Sequence, residues 1–136
     1  MKMKKMMLVL CALLVVARAG FAESFVFENQ TIYPNKAQKS KIAIQWASSA
    51  QDVDEGNKAV TYGLKLNSTT VQLLAQAGKV NINIPDNAEH FRILVWSKGQ
   101  KDPDFLTNWV DIVPNKTYTL TTDFLVPVVL MAGTGC

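Results

Sequence analysis

From Phe25 onward the chain alternates apolar and polar residues with a period of two, the spacing of strands with one buried face. Val80, Ile82 and Ile84 share one side while Asn81 and Asn83 take the other. Ile42, Ile44 and Trp46 alternate with Ala43, Gln45 and Ala47, and Phe25 and Phe27 flank Val26. Val60, Tyr62, Leu64 and Leu66 alternate with Thr61, Gly63 and Lys65, and Tyr118, Leu120 and Thr122 alternate with a run of threonines. Trp46, Tyr62 and Tyr118 fall on the apolar phase and are assigned to the core. Phe91 to Trp96 is more continuously apolar and suits a central strand covered on both sides. Trp109 to Val113 and Phe124 to Met131 are further strands, the last an edge or bulged strand because it contains Pro127. One stretch is ambiguous. Ser68 or Thr69 could cap a short helix that stops at Gly78, or Val71 to Leu73 could form a strand. The strand is preferred, as half of a hairpin with Val80 to Ile84 through Ala77-Gly78.

Turn residues separate these runs at Tyr33-Pro34-Asn35, Asp54-Glu55-Gly56-Asn57, Pro85-Asp86-Asn87, the 98–104 segment and Val113-Pro114-Asn115. Short strands with turns at this spacing predict an all-β fold, a small antiparallel β-sandwich. Ile112-Val113-Pro114-Asn115-Lys116-Thr117-Tyr118 is a strand, a Pro-Asn turn and a strand entered by a tyrosine. It resembles the tyrosine corner of immunoglobulin-like and fibronectin-type sandwiches, which implies a hydroxyl bonded back to upstream backbone. The resemblance covers about nine residues, implies an immunoglobulin-like arrangement and is silent on function. The cysteine pair of antibody domains is missing from it.

The first 22 residues follow a different pattern. Lys2, Lys4 and Lys5 precede an apolar run of eleven residues, Met6 to Val16, and Ala17-Arg18-Ala19-Gly20-Phe21-Ala22 ends in small residues at the positions a signal peptidase reads. The run is too short to cross a hydrocarbon core, which takes about 20 residues. Residues 1–22 are therefore expected to be a secretory signal peptide cut after Ala22, with Ala19 as the alternative end, leaving one domain over 23–136. Cys11 lies mid-run behind Leu10, not behind a small residue, which speaks against a lipoprotein cut. The compact, Lys-rich leader has a bacterial style, and the expected location is secreted or periplasmic.

Removing the leader changes the electrostatics. The precursor carries a formal net charge of +3. Four of its fourteen basic residues leave with the leader and none of its eleven acids, so ten bases face eleven acids and the mature charge is −1. With no basic cluster there is no electrostatic reason to bind nucleic acid or an anionic membrane. Cys136 is the one mature cysteine, so no disulfide within the chain can form, although a disulfide-linked dimer through Cys136 could.

Chemistry-bearing residues are sparse. His90 is the sole histidine, beside Glu89 and after the Pro85-Asp86-Asn87 turn. A small hydrolase would pair it with Glu89 or Asp86 and a serine, but no nucleophile-elbow pattern marks that serine. Asp52, Asp54, Glu55 and Asn57 gather oxygen ligands around Gly56 and form a weak calcium candidate. Its spacing departs from the helix-loop-helix motif, since Gly56 is fifth and Gly63 stands twelfth. Neither a metal nor a cofactor is expected. Trp109 alternates out of phase with Val110 and Ile112, so it either faces outward beside Phe105 or covers the end of the core, and Trp96, which ends an apolar strand, is core or rim. Such an aromatic patch could stack on a carbohydrate or anchor a protein partner. Asn29-Gln30-Thr31, Asn67-Ser68-Thr69 and Asn115-Lys116-Thr117 are glycosylation sequons that matter only in a eukaryotic secretory route.

The sequence thus favours an exported, non-enzymatic binding module of unknown ligand using Trp109, Phe105 and Trp96. The alternatives are a small secreted hydrolase using His90 and a structural subunit assembling through the Phe124 to Met131 strand.

Overall fold

The computed structural model describes residues 23–132. The proposed leader, Cys11 and Cys136 lie outside them. Among the described residues nine strands form two sheets, with one long helix against the outer face of the larger sheet. The fold is mostly β, as the alternation predicts.

The smaller sheet has the order β4-β1-β8, from Gly78–Asn83, Ser24–Asn29 and Thr117–Leu120. Phe25, Phe27 and Asn29 point inward from β1 and are buried, while Val26 and Glu28 are only partly covered. Strand β4 pairs antiparallel with β1, placing Ile82 opposite Phe25. Strand β8 pairs parallel with β1, placing Tyr118 opposite Phe27. This pair departs from the wholly antiparallel sandwich the turns suggest.

The larger sheet runs β3-β2-β5-β6-β9, from Val71–Leu73, Lys41–Ala47, His90–Trp96, Phe105–Leu106 and Val126–Pro127. Strand β7, Val110–Asp111, also pairs with β5. Strand β5 is the central strand its apolar run predicts, with every residue from Phe91 to Trp96 buried. Its two faces serve two cores. Phe91, Ile93 and Val95 join Phe25, Phe27, Ile42, Ile44 and Trp46 between the sheets. Leu94 and Trp96 join Ala43, Val60 and Leu106 on the outer face. Pro127 sits on edge strand β9, where a missing N–H interrupts no ladder.

The outer core exists because of helix α1, Ala50–Thr61, which corrects the sequence reading of this region. The 54–57 turn and the Val60 to Leu66 strand do not form. Ser49 caps the helix by accepting from Asp52 N at 3.2 Å, and the Asp52 carboxylate accepts from Ser48 N at 3.0 Å. Tyr62 is the C-cap, and Gly63 follows at φ +64, the left-handed conformation glycine adopts freely. Tyr62 is accordingly 71% exposed and not in the core.

Two further expectations change. Val71–Leu73 is a strand after a 3-10 turn at Ser68–Thr70, but β3 pairs with β2 and β4 with β1. The two belong to different sheets, so they form no hairpin. Phe124 to Met131 is not one strand: a 3-10 turn at Thr122–Phe124 leads into β9 and then helix α2, Val128–Ala132.

Candidate functional site

Two crossings of the chain frame an opening between the sheets. Residues 112–116 carry it from β7 in the larger sheet to β8 in the smaller one, and residues 121–125 carry it back to β9. Between these crossings, β8 faces residues 107–111 with no strand between them among the described residues. The gap is a cleft of about 330 Å3. Phe27, Phe91 and Ile93 form its floor, Tyr118 and Leu120 one wall, and Val110 and Phe124 its mouth. Val110 is 36% exposed and Phe124 58%. Thr107, Asn108 and Thr119 are its polar members, and no acidic or basic side chain lines it.

Local hydrogen bonds hold both frames. The Tyr118 hydroxyl donates to the Asp111 carbonyl and accepts from Val113 N, each at 2.8 Å, which is the backbone tie the tyrosine-corner resemblance implies. Phe91 and Phe25 meet the Tyr118 ring edge-on at 5.0 and 5.1 Å between centroids. At the other frame, Phe124 N and Leu125 N bond to the carbonyls of Thr121 and Thr122. Opposite β8, the Thr107 hydroxyl accepts from Ile93 N at 2.9 Å and donates to the Asn108 carbonyl at 3.0 Å, replacing a ladder bond where β6 gives way to β7. The carbonyls of Lys116, just before β8, and of Leu120, at its end, accept from Val26 N and Gln30 N. Alternation along the strand then turns the peptide groups of Thr117 and Thr119 away from β1, toward the open edge.

A buried polar cluster lies on the other face of the larger sheet. Arg92 is 2% exposed and has no carboxylate partner among the described residues. Its guanidinium donates to Gln45 Oε1 at 2.6 Å, Asn57 Oδ1 at 2.9 Å and the Gly56 carbonyl at 3.0 Å. Trp109 covers it, with Arg92 Cζ 4.4 Å from the ring centroid and Trp109 Nε1 donating to Asn57 Oδ1 at 2.9 Å. Burial lowers the Arg92 pKa to about 10, which leaves it charged at neutral pH. The cluster fastens α1 to the sheet and uses its polar groups internally. The one sign of it in the sequence is Arg92, the lone charge inside the Phe91 to Trp96 run.

The three expected aromatic residues are not brought together. Trp96 is buried in the outer core, with its Nε1 donating to the Lys101 carbonyl. Phe105 packs against the inter-sheet core, on the opposite side of the sheet. Trp109 is half-buried over Arg92. The calcium candidate is also dispersed. Asp52, Asp54, Glu55 and Asn57 stand on α1, where Asp52 caps, Asp54 pairs with Lys58 and Asn57 serves Arg92 and Trp109. Among the described residues no three His, Cys, Asp or Glu side chains are placed to share a metal. His90 Nδ1 lies 2.8 Å from Asp111 Oδ1, so its acid partner comes from β7 and not from Glu89 or Asp86.

Among the described residues no helix is long and apolar enough to cross a membrane. No model of a known protein family matches the chain, and no curated protein matches it.

Proposed function

We propose that the chain is an exported, non-enzymatic binding module on an immunoglobulin-like sandwich, with the cleft between β8 and residues 107–111 as its binding site. One observation carries the proposal: Tyr118, Val110 and Phe124 line a concavity over the buried inter-sheet core, at an edge that the chain frames at both ends but leaves uncovered. An apolar concavity with a few polar groups at its rim is the usual form of a ligand site. The Tyr118 bonds support the immunoglobulin-like assignment, and the three-part pattern of residues 1–22 supports export to a secreted or periplasmic location.

The test is an amide shift map of the labelled protein titrated with soluble extract of its producing cells. Shifts should cluster on Ile93, Val110 and the 117–120 strand, and Val110→Glu should abolish them. Shifts confined to another surface would remove the cleft from consideration.

The 2.8 Å His90–Asp111 contact favours one other reading, a small hydrolase. Among the described residues the His90 ring bonds only to Asp111, so a nucleophile would still have to be brought to it. A broad hydrolase screen on the purified protein decides: activity that His90→Ala removes establishes the enzyme, and silence leaves the binding module.

A further inference from the structure

We infer that the cleft takes a compact, uncharged, apolar small molecule with one hydrogen-bonding end, and not an extended segment of another chain. The inference rests on the proposed role of the cleft and names what fills it.

Charge is the first argument. No ionised side chain lines the cleft, and the Tyr118 hydroxyl is already committed to two backbone groups. An ionised ligand would lose its hydration there with no counter-charge in return. Shape is the second. The open length is the four residues of β8, roughly 13 Å at about 3.3 Å per residue. Residues 112–116 close one end and residues 121–125 the other, so a strand added along β8 would run into chain in both directions. The volume of about 330 Å3 suits a small guest. It stands at the low end of the roughly 300–1,000 Å3 of ligand pockets.

The surface inside is the third argument. Tyr118 and Phe124 present rings to the space above the buried Phe27 and Phe91, which favours apolar or aromatic contact over polar recognition. The polar end of the guest is placed by what is still free at the rim. Thr107 has spent its hydroxyl on Ile93 N and Asn108 O, and the Thr119 hydroxyl donates to Glu28. The Asn108 side-chain amide has no partner among the described residues, and it lines the cleft. Asn108, together with the Thr119 peptide group at the open edge, anchors that end.

The experiment is a fluorescence titration of the purified protein with uncharged N-phenyl-1-naphthylamine, followed by displacement with 1-octanol and with octanoate. Saturable one-to-one binding is expected, with octanoate displacing the probe roughly tenfold less well than octanol because its carboxylate finds no partner. Val110→Glu, at the exposed mouth, should weaken probe binding by about tenfold or more. Leu73→Glu, exposed on β3 at the far edge of the same sheet, should not change it. Near-ultraviolet circular dichroism checks that both variants stay folded. Absence of saturable binding, equal displacement by octanoate, or indifference to Val110→Glu would each overturn the inference. If the probe fails while extract still shifts the cleft amides, the ligand class is wrong and the site stands. If both fail, the site falls as well.

Discussion

Arg92 Cζ lies 4.4 Å from the centre of the Trp109 ring, with the side chains of Gln45 and Asn57 completing the enclosure. A guanidinium with three neutral oxygen partners and an aromatic cover is held by geometry more than by opposite charge. Lysine has the charge but no planar fork, so it cannot serve a strand, a helix side chain and a helix carbonyl together. Arg92→Lys should therefore lower stability by about 2–3 kcal/mol in denaturant unfolding. A change within about 0.5 kcal/mol, the range of ordinary surface substitutions, would show that the fork is dispensable.

Trp109 has two separable roles, covering the guanidinium with its face and donating from its Nε1 to Asn57. Trp109→Phe keeps the first and removes the second, and should cost about 1 kcal/mol. Trp109→Ala removes both, along with half-buried ring surface, and should cost about 3 kcal/mol. Equal losses in the two variants would mean that the ring face contributes nothing.

Gly56 opposes two rules in one residue. Alanine there should gain about 1 kcal/mol of helix propensity. Its Cβ would also stand 3.1 Å from Gln45 Nε2 and 3.2 Å from Trp109 Cζ2, both side chains tied into the Arg92 cluster. Crowding of fixed neighbours typically costs about 1–3 kcal/mol, so the net effect of Gly56→Ala should be a loss of about 1 kcal/mol. A higher melting temperature would show that the cluster yields easily.

The hydroxyl of Tyr118 ties together a strand end and a turn. Tyr118→Phe leaves the ring against Phe25 and Phe91 but strips partners from Asp111 O and Val113 N. The expected cost is about 1–2 kcal/mol, with faster amide exchange at Val113. Unchanged exchange there would show that water replaces the hydroxyl without penalty.

The elements legible in the sequence are those whose apolar residues follow a single period, even where, as in β2, the alternate positions Ala43, Gln45 and Ala47 are buried as well. Phe25 and Phe27, Ile42 to Trp46, and Val80 to Ile84 declare their strands by alternation, and Phe91 to Trp96 declares a two-sided one. The Tyr118 corner was legible because its partners lie five and seven residues upstream. Helix α1 was not, because its inward face is slight, made of Val53, Gly56, Ala59 and Val60 among charged residues. Its start did carry a signal, the Ser49-x-x-Asp52 cap, which the acidic run obscured. The Arg92 cluster needs Gln45 opposite Arg92 in register, a pairing across 47 positions that no local pattern contains. The cleft was beyond reach for the same reason: it depends on which strands join which sheet, and the separation of β3 from β4 already contradicts the shortest connection.

The parallel seam between β1 and β8 has a mechanical consequence. Tension applied at the start of β1 and the end of β8 pulls the two strands past each other along their length. The bonds joining Val26 to Lys116 and Gln30 to Leu120 then bear the load together, whereas a hairpin opened from one end breaks its bonds in succession. Once β9 has peeled away, the domain should resist stretching at this seam and yield there abruptly, as a clasp does and a zip does not.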